Sequence, residues 1–213
     1  VRPDVTRKYD PENWEDYAFQ NAARNEVNLK FGGSNGKTNY YSSFGYLDDQ
    51  GYIINSDFQR LSARLNVTQE IKKWLTGSVN FGYARTESNN NGQSEDSGSI
   101  FWFADNMPPI YPLFMRDAEG KLLTDPIFGG NRFDYGGGTS ATSRGFGGLT
   151  NAISDATYDV NRNNRNELNG SANLNFNILE GLTFENRLGV QYYNDKYVNR
   201  GKKYYGGSAS QNG

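Results

Sequence analysis

Four stretches of this chain alternate apolar and polar residues with a period of two, each for about eleven residues, in two pairs joined by short turns. In the first, Leu61, Ala63, Leu65 and Val67 share one face against Arg60, Ser62, Arg64, Asn66 and Thr68. Its partner sets Leu75, Gly77, Val79, Phe81 and Tyr83 against Thr76, Ser78, Asn80, Gly82 and Ala84. The second pair sets Leu168, Gly170, Ala172, Leu174 and Phe176 against Glu167, Asn169, Ser171, Asn173 and Asn175. Its return strand sets Leu182, Phe184, Leu188, Val190 and Tyr192 against Thr183, Glu185, Arg187, Gly189 and Gln191. Successive side chains of a strand leave on opposite faces, so a period of two predicts strands with one apolar and one polar surface. Clean alternation over about 9 to 11 residues, with short and long connections in turn, is the pattern of an antiparallel up-and-down transmembrane β-barrel.

Composition fits that wall. Mean hydropathy is -0.82, which alone suggests disorder, yet the chain carries 15 Tyr and 13 Phe, residues that disordered chains lack. A wall with lipid on one side and water on the other reconciles the two. Cys and His are both absent, which removes disulfides, thiol nucleophiles, the commonest general base and the commonest metal ligand. A net charge of -2 gives no electrostatic case for nucleic acid. No apolar run is long enough for a membrane-crossing helix.

Along the chain, residues 1–24 are expected to end an extracellular loop with a short helix, N-capped by Asp10 with Pro11 at its first position. Residues 25–86 hold barrel strands, beginning at Val27, Leu29 and Phe31, with an Asn-Gly hairpin turn at Asn35-Gly36 and a return through Tyr40, Phe44 and Tyr46. Residues 87–165 form a long extracellular insertion, and 166–213 hold further strands and the start of the next outer loop. The connections near 34–37, 69–74 and 177–181 are short and every other one is long. Short turns belong on the periplasmic side and long loops outside. Within the insertion, the aromatic-rich stretch 100–115 is expected to be ordered, and the flanks at 89–91 and 136–148 mobile. About six strands do not close a barrel, and Val1 follows no signal peptide, so the sequence reads as an internal piece or a processed product.

A soluble β-sandwich also alternates. Its strands are shorter, its connections show no regular succession of short and long, and its wet face carries many Lys and Glu. Here the polar faces are mostly Asn, Ser, Thr and Gly, as a water-filled lumen requires. Asn186 and Arg85 fall on the apolar face, and Arg85 is tolerable only near the outer interface.

Several segments of this chain together resemble the early barrel of SusC/RagA-type TonB-dependent outer-membrane transporters. They are Asn13-Trp14-Glu15-Asp16, Gly32-Gly33-Ser34, Tyr40-Tyr41-Ser42-Ser43-Phe44-Gly45-Tyr46, Ser56-Asp57, Arg64-Leu65-Asn66 and Glu180-Gly181-Leu182-Thr183-Phe184. The resemblance implies a 22-stranded barrel, of which this chain supplies about the second to the seventh strand, filled by an N-terminal plug. It implies active import of glycans or peptides across the outer membrane of a Gram-negative bacterium. The implied partners are TonB-ExbB-ExbD, reached through parts outside this chain, and a SusD-like surface lipoprotein, with lipopolysaccharide and outer-membrane lipid around the wall. The alternative is a passive porin or a structural barrel.

Within that frame Trp102, Phe103, Tyr111 and Tyr135 are candidates to face cargo or a partner, because amphipathic rings stack on sugars and anchor interfaces. Packing of the loop is the competing role, and the preferred one for Phe103. Arg60, Arg64, Glu185 and Arg187 are the lumen-facing candidates, for polar cargo or for salt bridges within the wall. No enzyme is expected: paired carboxylates offer the only route, through Asp48, Asp49 and Asp57 or through Glu95 and Asp96, and acidic loop residues are ordinarily just solvated. Asp159, Asn161 and Asn163 imitate the start of a Ca²⁺ loop but lack its Gly and Glu, so no cofactor is expected, with loop Ca²⁺ left open. Gly32 to Thr38 imitates a phosphate loop, but a strand follows where a helix must. Lys202, Lys203 and the tyrosines beside them are expected to meet lipopolysaccharide phosphates or water.

Overall fold

The computed structural model describes residues 10–90, 99–136 and 148–206. Six strands form one antiparallel sheet in sequence order: β1 (Arg24–Ser34), β2 (Thr38–Gln50), β3 (Asp57–Lys72), β4 (Leu75–Asn89), β5 (Val160–Leu179) and β6 (Leu182–Arg200). Three helices lie in the connections: α1 (Glu15–Ala18), α2 (Ile100–Asn106) and α3 (Ala152–Tyr158).

Register carries the alternation across the sheet. Leu29, Phe44, Ala63, Tyr83, Leu168 and Tyr192 oppose one another in one row, and Phe31, Ser42, Leu65, Phe81, Gly170 and Val190 in the next apolar row. Much of this apolar face stands open, with Leu65 43% and Leu188 70% exposed, because none of the described residues packs a second layer over it. From Leu61 to Ile71 the apolar face runs about ten residues, which at about 3.3 Å each and a tilt of about 40° stands about 25 Å high, the thickness of a barrel's lipid band. Arg85 lies in the uppermost row of that band, opposite Leu61 and Asn166, with Glu87 at 3.8 Å. Asn186 lies low, opposite Leu174 and one row above Phe176 and Phe184. Trp74 stacks on Phe176 at 6.2 Å there, the ring belt expected at a membrane interface.

The turns at the lower end are tighter than the alternation suggests. Β3 continues through Lys72, with a bulge between Glu70 and Lys72, leaving only Lys73 and Trp74 in the turn. In the first hairpin Gly36 takes φ 86° while the Asn35 Oδ1 accepts from Lys37 and Thr38 N–H, so a β-carbon-bearing residue at 36 is strained. At the other end β5 and β6 extend well beyond the alternating stretch. Asn161 to Asn166 is polar on both faces, and a strand that leaves the lipid is wet on both sides, so it loses the period while keeping the ladder.

The buried core sits at this upper end, in the loops rather than under the sheet. Trp14, Ala18, Ile53, Ile100, Phe103, Met107, Leu113, Phe133 and Ile153 form one apolar cluster drawn from three connections. The helix expected from Asp10 begins later: Trp14 is its N-cap and only one turn forms. Glu12 is drawn away to the insertion instead, where its carboxylate accepts from Leu113 N–H at 2.6 Å and pairs with Arg116 at 2.6 Å.

Candidate functional site

The outer loops make a module built from residues far apart in sequence. In α2, Phe103 is 1% exposed and packs its ring 5.2 Å from Trp14, whose indole N–H donates to the Tyr111 carbonyl at 3.1 Å. Asn151 is fully buried; its Oδ1 accepts from Ser154 N–H and starts α3, while its amide donates to the Asp134 carbonyl at 3.0 Å. The loop between β2 and β3 joins through Asn55, held at φ 53°, whose amide donates to the Ala156 carbonyl at 3.0 Å. The segment after β6 joins through Tyr205, whose hydroxyl donates to Asp125 at 3.0 Å. Lys202 closes the same side, with its backbone N–H on Asp159 at 2.7 Å and its ammonium against Asp155.

Of the four aromatic candidates, Phe103 is core. Trp102 and Tyr111 are half-buried and pack on the edge of that core, each keeping part of its surface outward. Tyr135 is also half-buried: its hydroxyl bonds the Ser154 hydroxyl, its ring stacks on Tyr205 at 6.0 Å, and the Lys202 ammonium lies 5.4 Å from its centroid. Burial, more than the nearby Asp155, pushes the Tyr135 hydroxyl well above its ordinary range, so it stays protonated. Other rings share the surface. Phe19, Tyr52 and Phe101, from three different connections, meet with centroids 5.3 to 5.8 Å apart. Phe128 stacks on Tyr158 at 4.1 Å. Only the apolar tone of the loops signalled them, because each partner lies in another connection.

The carboxylates expected in loops do not converge. Asp48 and Asp49 leave opposite faces of β2, Asp49 pairs with Arg24 at 3.3 Å, and Asp57 accepts from the Asn89 amide. Glu95 and Asp96, with the flanks read as mobile at residue 91 and from 137 to 147, lie outside the described residues. The run read as a Ca²⁺-like loop is strand from Val160 on, and Asp159 is engaged by Lys202. Lys202 itself is almost wholly covered, so it meets acidic side chains of α3 and its C-cap where lipopolysaccharide phosphate was expected.

Below the loop module the polar face of the sheet is the second part of the site. Arg60 sits in a row with Glu26, Leu47, Thr86, Arg165 and Asp195, and lies 3.8 Å from Glu26. Arg64 lies two rows down, with Lys30, Ser43, Gly82, Asn169 and Gln191, below the row of Asn28, Gly45, Ser62, Ala84 and Glu167. These rows border a concave groove of about 460 Å³ that also takes in Asn28, Tyr41 and Glu167. Arg187 and Glu185 are set apart toward the lower turns, where Arg187 Nε donates to Asn173 Oδ1 at 3.0 Å. The structure therefore brings Arg60 and Arg64 together and leaves the other two as wall residues lower down.

No protein-family model matches the chain. In sequence it is similar to TonB-dependent receptor P39 of Formosa agariphila, 24% identical over 182 residues that cover 85% of this chain and 15% of that protein. TonB-dependent receptor P3 of the same organism is 27% identical over 88 residues, 41% of this chain and 9% of that protein. The chain thus spans about a sixth or less of the curated relatives it matches. Among solved structures, the RagAB peptide importer in its closed-closed state superposes with a TM-score of 0.63 at 23% identity, over 88% of this chain and 19% of that one. The RagAB peptide transporter gives 0.64 at 24%, over 87% and 19%. Six antiparallel strands in sequence order, an amphipathic sheet and connections gathered at one end agree with these likenesses: the chain is similar in sequence to TonB-dependent receptors and in fold to the SusC/RagA-type RagAB barrel.

Proposed function

We propose that this chain forms part of the wall and outer vestibule of an active importer in the outer membrane of a Gram-negative bacterium. The observation that carries the reading is the division of the sheet into an apolar face about 25 Å high and a hydrogen-bonded polar face, beneath outer loops packed into one core. A wall of this kind separates lipid from a wet passage, and a fixed loop module above it suits selection of cargo over free diffusion. Cargo in this reading is a glycan or a peptide, energy comes through TonB-ExbB-ExbD, and a SusD-like lipoprotein covers the vestibule. The rings of Trp102, Tyr111 and Tyr52 are the cargo- or partner-facing surface, Arg60 and Arg64 face the passage, and lipopolysaccharide packs around Arg85 at the upper rim. The neighbour described as a peptide importer supports the peptide alternative without deciding it.

Uptake of fluorescent oligosaccharides and oligopeptides by cells with and without TonB tests the reading. Uptake that needs TonB is expected, and equal accumulation in both strains assigns the protein to the passive porins instead. Co-purification of a surface lipoprotein with the complete receptor tests the partner separately.

A further inference from the structure

The apolar face of the sheet ends upward in rings and then in charge. Tyr83 and Tyr192 stand in one row with Leu168 between them, and the next row on that face brings Arg85, Asn166 and Asn194. One row higher lie Glu87, Asn164 and Lys196, and above them Asn89, Arg162 and Val198. Rows of one face are two residues apart, so at about 3.3 Å per residue and a tilt of about 40° each step rises about 5 Å. Arg85 therefore stands at the edge of the hydrocarbon, with Lys196 about 5 Å and Arg162 about 10 Å above it, the depth at which lipid head groups lie. Tyrosines at the boundary with cations just outside it are the order of groups that a membrane interface favours.

Charge on this rim is unbalanced. Among the described residues, Glu87 is the only carboxylate on this face of β4, β5 and β6 above the tyrosines, and two guanidiniums share it, Arg85 at 3.8 Å and Arg162 at 3.6 Å. Arg162 Nε also donates to Asn89 Oδ1 at 3.0 Å, and Lys196 adds a third cation in the Glu87 row. The acids of the neighbouring rim, Asp48 and Asp57, lie on β2 and β3 and accept from the amides of Gln59 at 3.2 Å and Asn89 at 2.9 Å. Arg85 and Arg162 are 59% and 48% exposed, and ion pairs so open to solvent hold their partners loosely. Because β3 flanks β4 and β6 flanks β5, no strand beyond this chain stands beside Arg85, Glu87 or Arg162. A plug of the kind the resemblance implies lies on the other face of the sheet. A phosphate monoester brings nearly two negative charges and three acceptor oxygens, which guanidiniums grip through paired N–H bonds. Asn166, opposite Arg85, has its Oδ1 taken by the Tyr83 hydroxyl at 2.9 Å, so its amide N–H groups are left to donate.

We propose that Arg85, Arg162 and Lys196, with Asn166, form a site on the lipid-side rim for the phosphate of an outer-leaflet lipid, the phosphorylated sugar anchor of lipopolysaccharide, a deepening that rests on the outer-membrane reading above. The lipid phosphate draws the two guanidiniums from Glu87 and takes its third cation from Lys196. Native mass spectrometry of the complete receptor, titrated in detergent with bisphosphorylated lipid A and with the same lipid stripped of both phosphates, counts the lipids bound and reads their affinity. The phosphorylated lipid is expected to bind this site about ten-fold tighter than the stripped one. The double variant Arg85→Gln with Lys196→Gln is expected to remove one phosphorylated lipid from the count and leave the count of stripped lipid unchanged. Glu87→Gln frees both guanidiniums and is expected to tighten the phosphorylated lipid about three-fold, a gain that a poorly folded sheet does not give. Equal binding of the two lipids, an unchanged count in the double variant, or weaker binding in Glu87→Gln overturns the proposal. So does competition by inorganic phosphate as effective as that by the lipid, which would make this a site for free phosphate. Uptake independent of TonB with the lipid preference intact sinks only the import reading.

Discussion

At the scale of single residues, which face a side chain leaves by decides what it costs to change. Leu65 and Val79 lie on the apolar face of the sheet, while Ser62 and Asn80 lie on the polar one, where the Asn80 amide already donates to Ser171 Oγ at 3.2 Å. Leu65→Arg or Val79→Arg is expected to cost about 2 to 4 kcal/mol, and Ser62→Arg or Asn80→Arg far less. Urea unfolding of the complete receptor in lipid vesicles measures both, and equal costs on the two faces would contradict a membrane wall. The face of each residue was legible from the period of two alone. The state of each charge was not: Arg60, Arg64 and Arg187 look alike in sequence, and only register shows Arg60 beside Glu26, Arg187 on Asn173 and Arg64 without a partner among the described residues.

At the scale of elements, strands and loops differ in what holds them. A strand of this sheet is fixed by its ladder and by lipid, whereas α1, α2 and α3 are too short to persist alone and exist because they bury one another. Phe103→Ala removes the ring under Trp14 and is expected to destabilise the loop module by about 3 to 5 kcal/mol. Limited proteolysis on intact cells should then cut within 99–136, while the receptor keeps its slow, heat-modifiable migration on gels; wild-type resistance to protease in the variant would place Phe103 outside the core. The α3 edge carries a pH signature. Burial holds the Asp155 carboxyl above its ordinary range, with Lys202 opposing that shift. Its folded form binds its proton more readily than its unfolded form, so its contribution is greatest at acid pH and is lost as pH rises through the folded value. Protease resistance of the α3 region is therefore expected to fall from mildly acidic to neutral pH in the native receptor and to change less in Asp155→Asn. An equal slope in both would assign the effect to another group.

At the scale of the whole molecule, the sheet is open. Among the described residues β1 pairs only with β2 and β6 only with β5, so both outer edges present unpaired backbone groups. Hydrocarbon tolerates no such edge. The 213-residue chain refolded alone in detergent is expected to give aggregates and no monomeric heat-modifiable band, by gel filtration and gel migration. A stable monomer would mean that six strands protect their own edges. The same openness explains why so much of the sheet is exposed: among the described residues the apolar core lies in the connections and not against either face.

The sequence by itself determined the wall: strand type, the two faces, the Asn35-Gly36 turn and the side on which the long connections lie. Those are local properties, repeated every second residue and enforced by the unlike media on the two faces. It was silent on the polar ends of β5 and β6, where water on both sides erases the period. Only the tertiary structure decided that α1 begins at Trp14, that Glu12 pairs with Arg116, that Phe103 is core and that Lys202 turns inward to Asp155. Each of those outcomes depends on a partner many residues away. No local spacing encodes which distant partner a loop residue will meet, so the wall is readable in one dimension and the vestibule only in three.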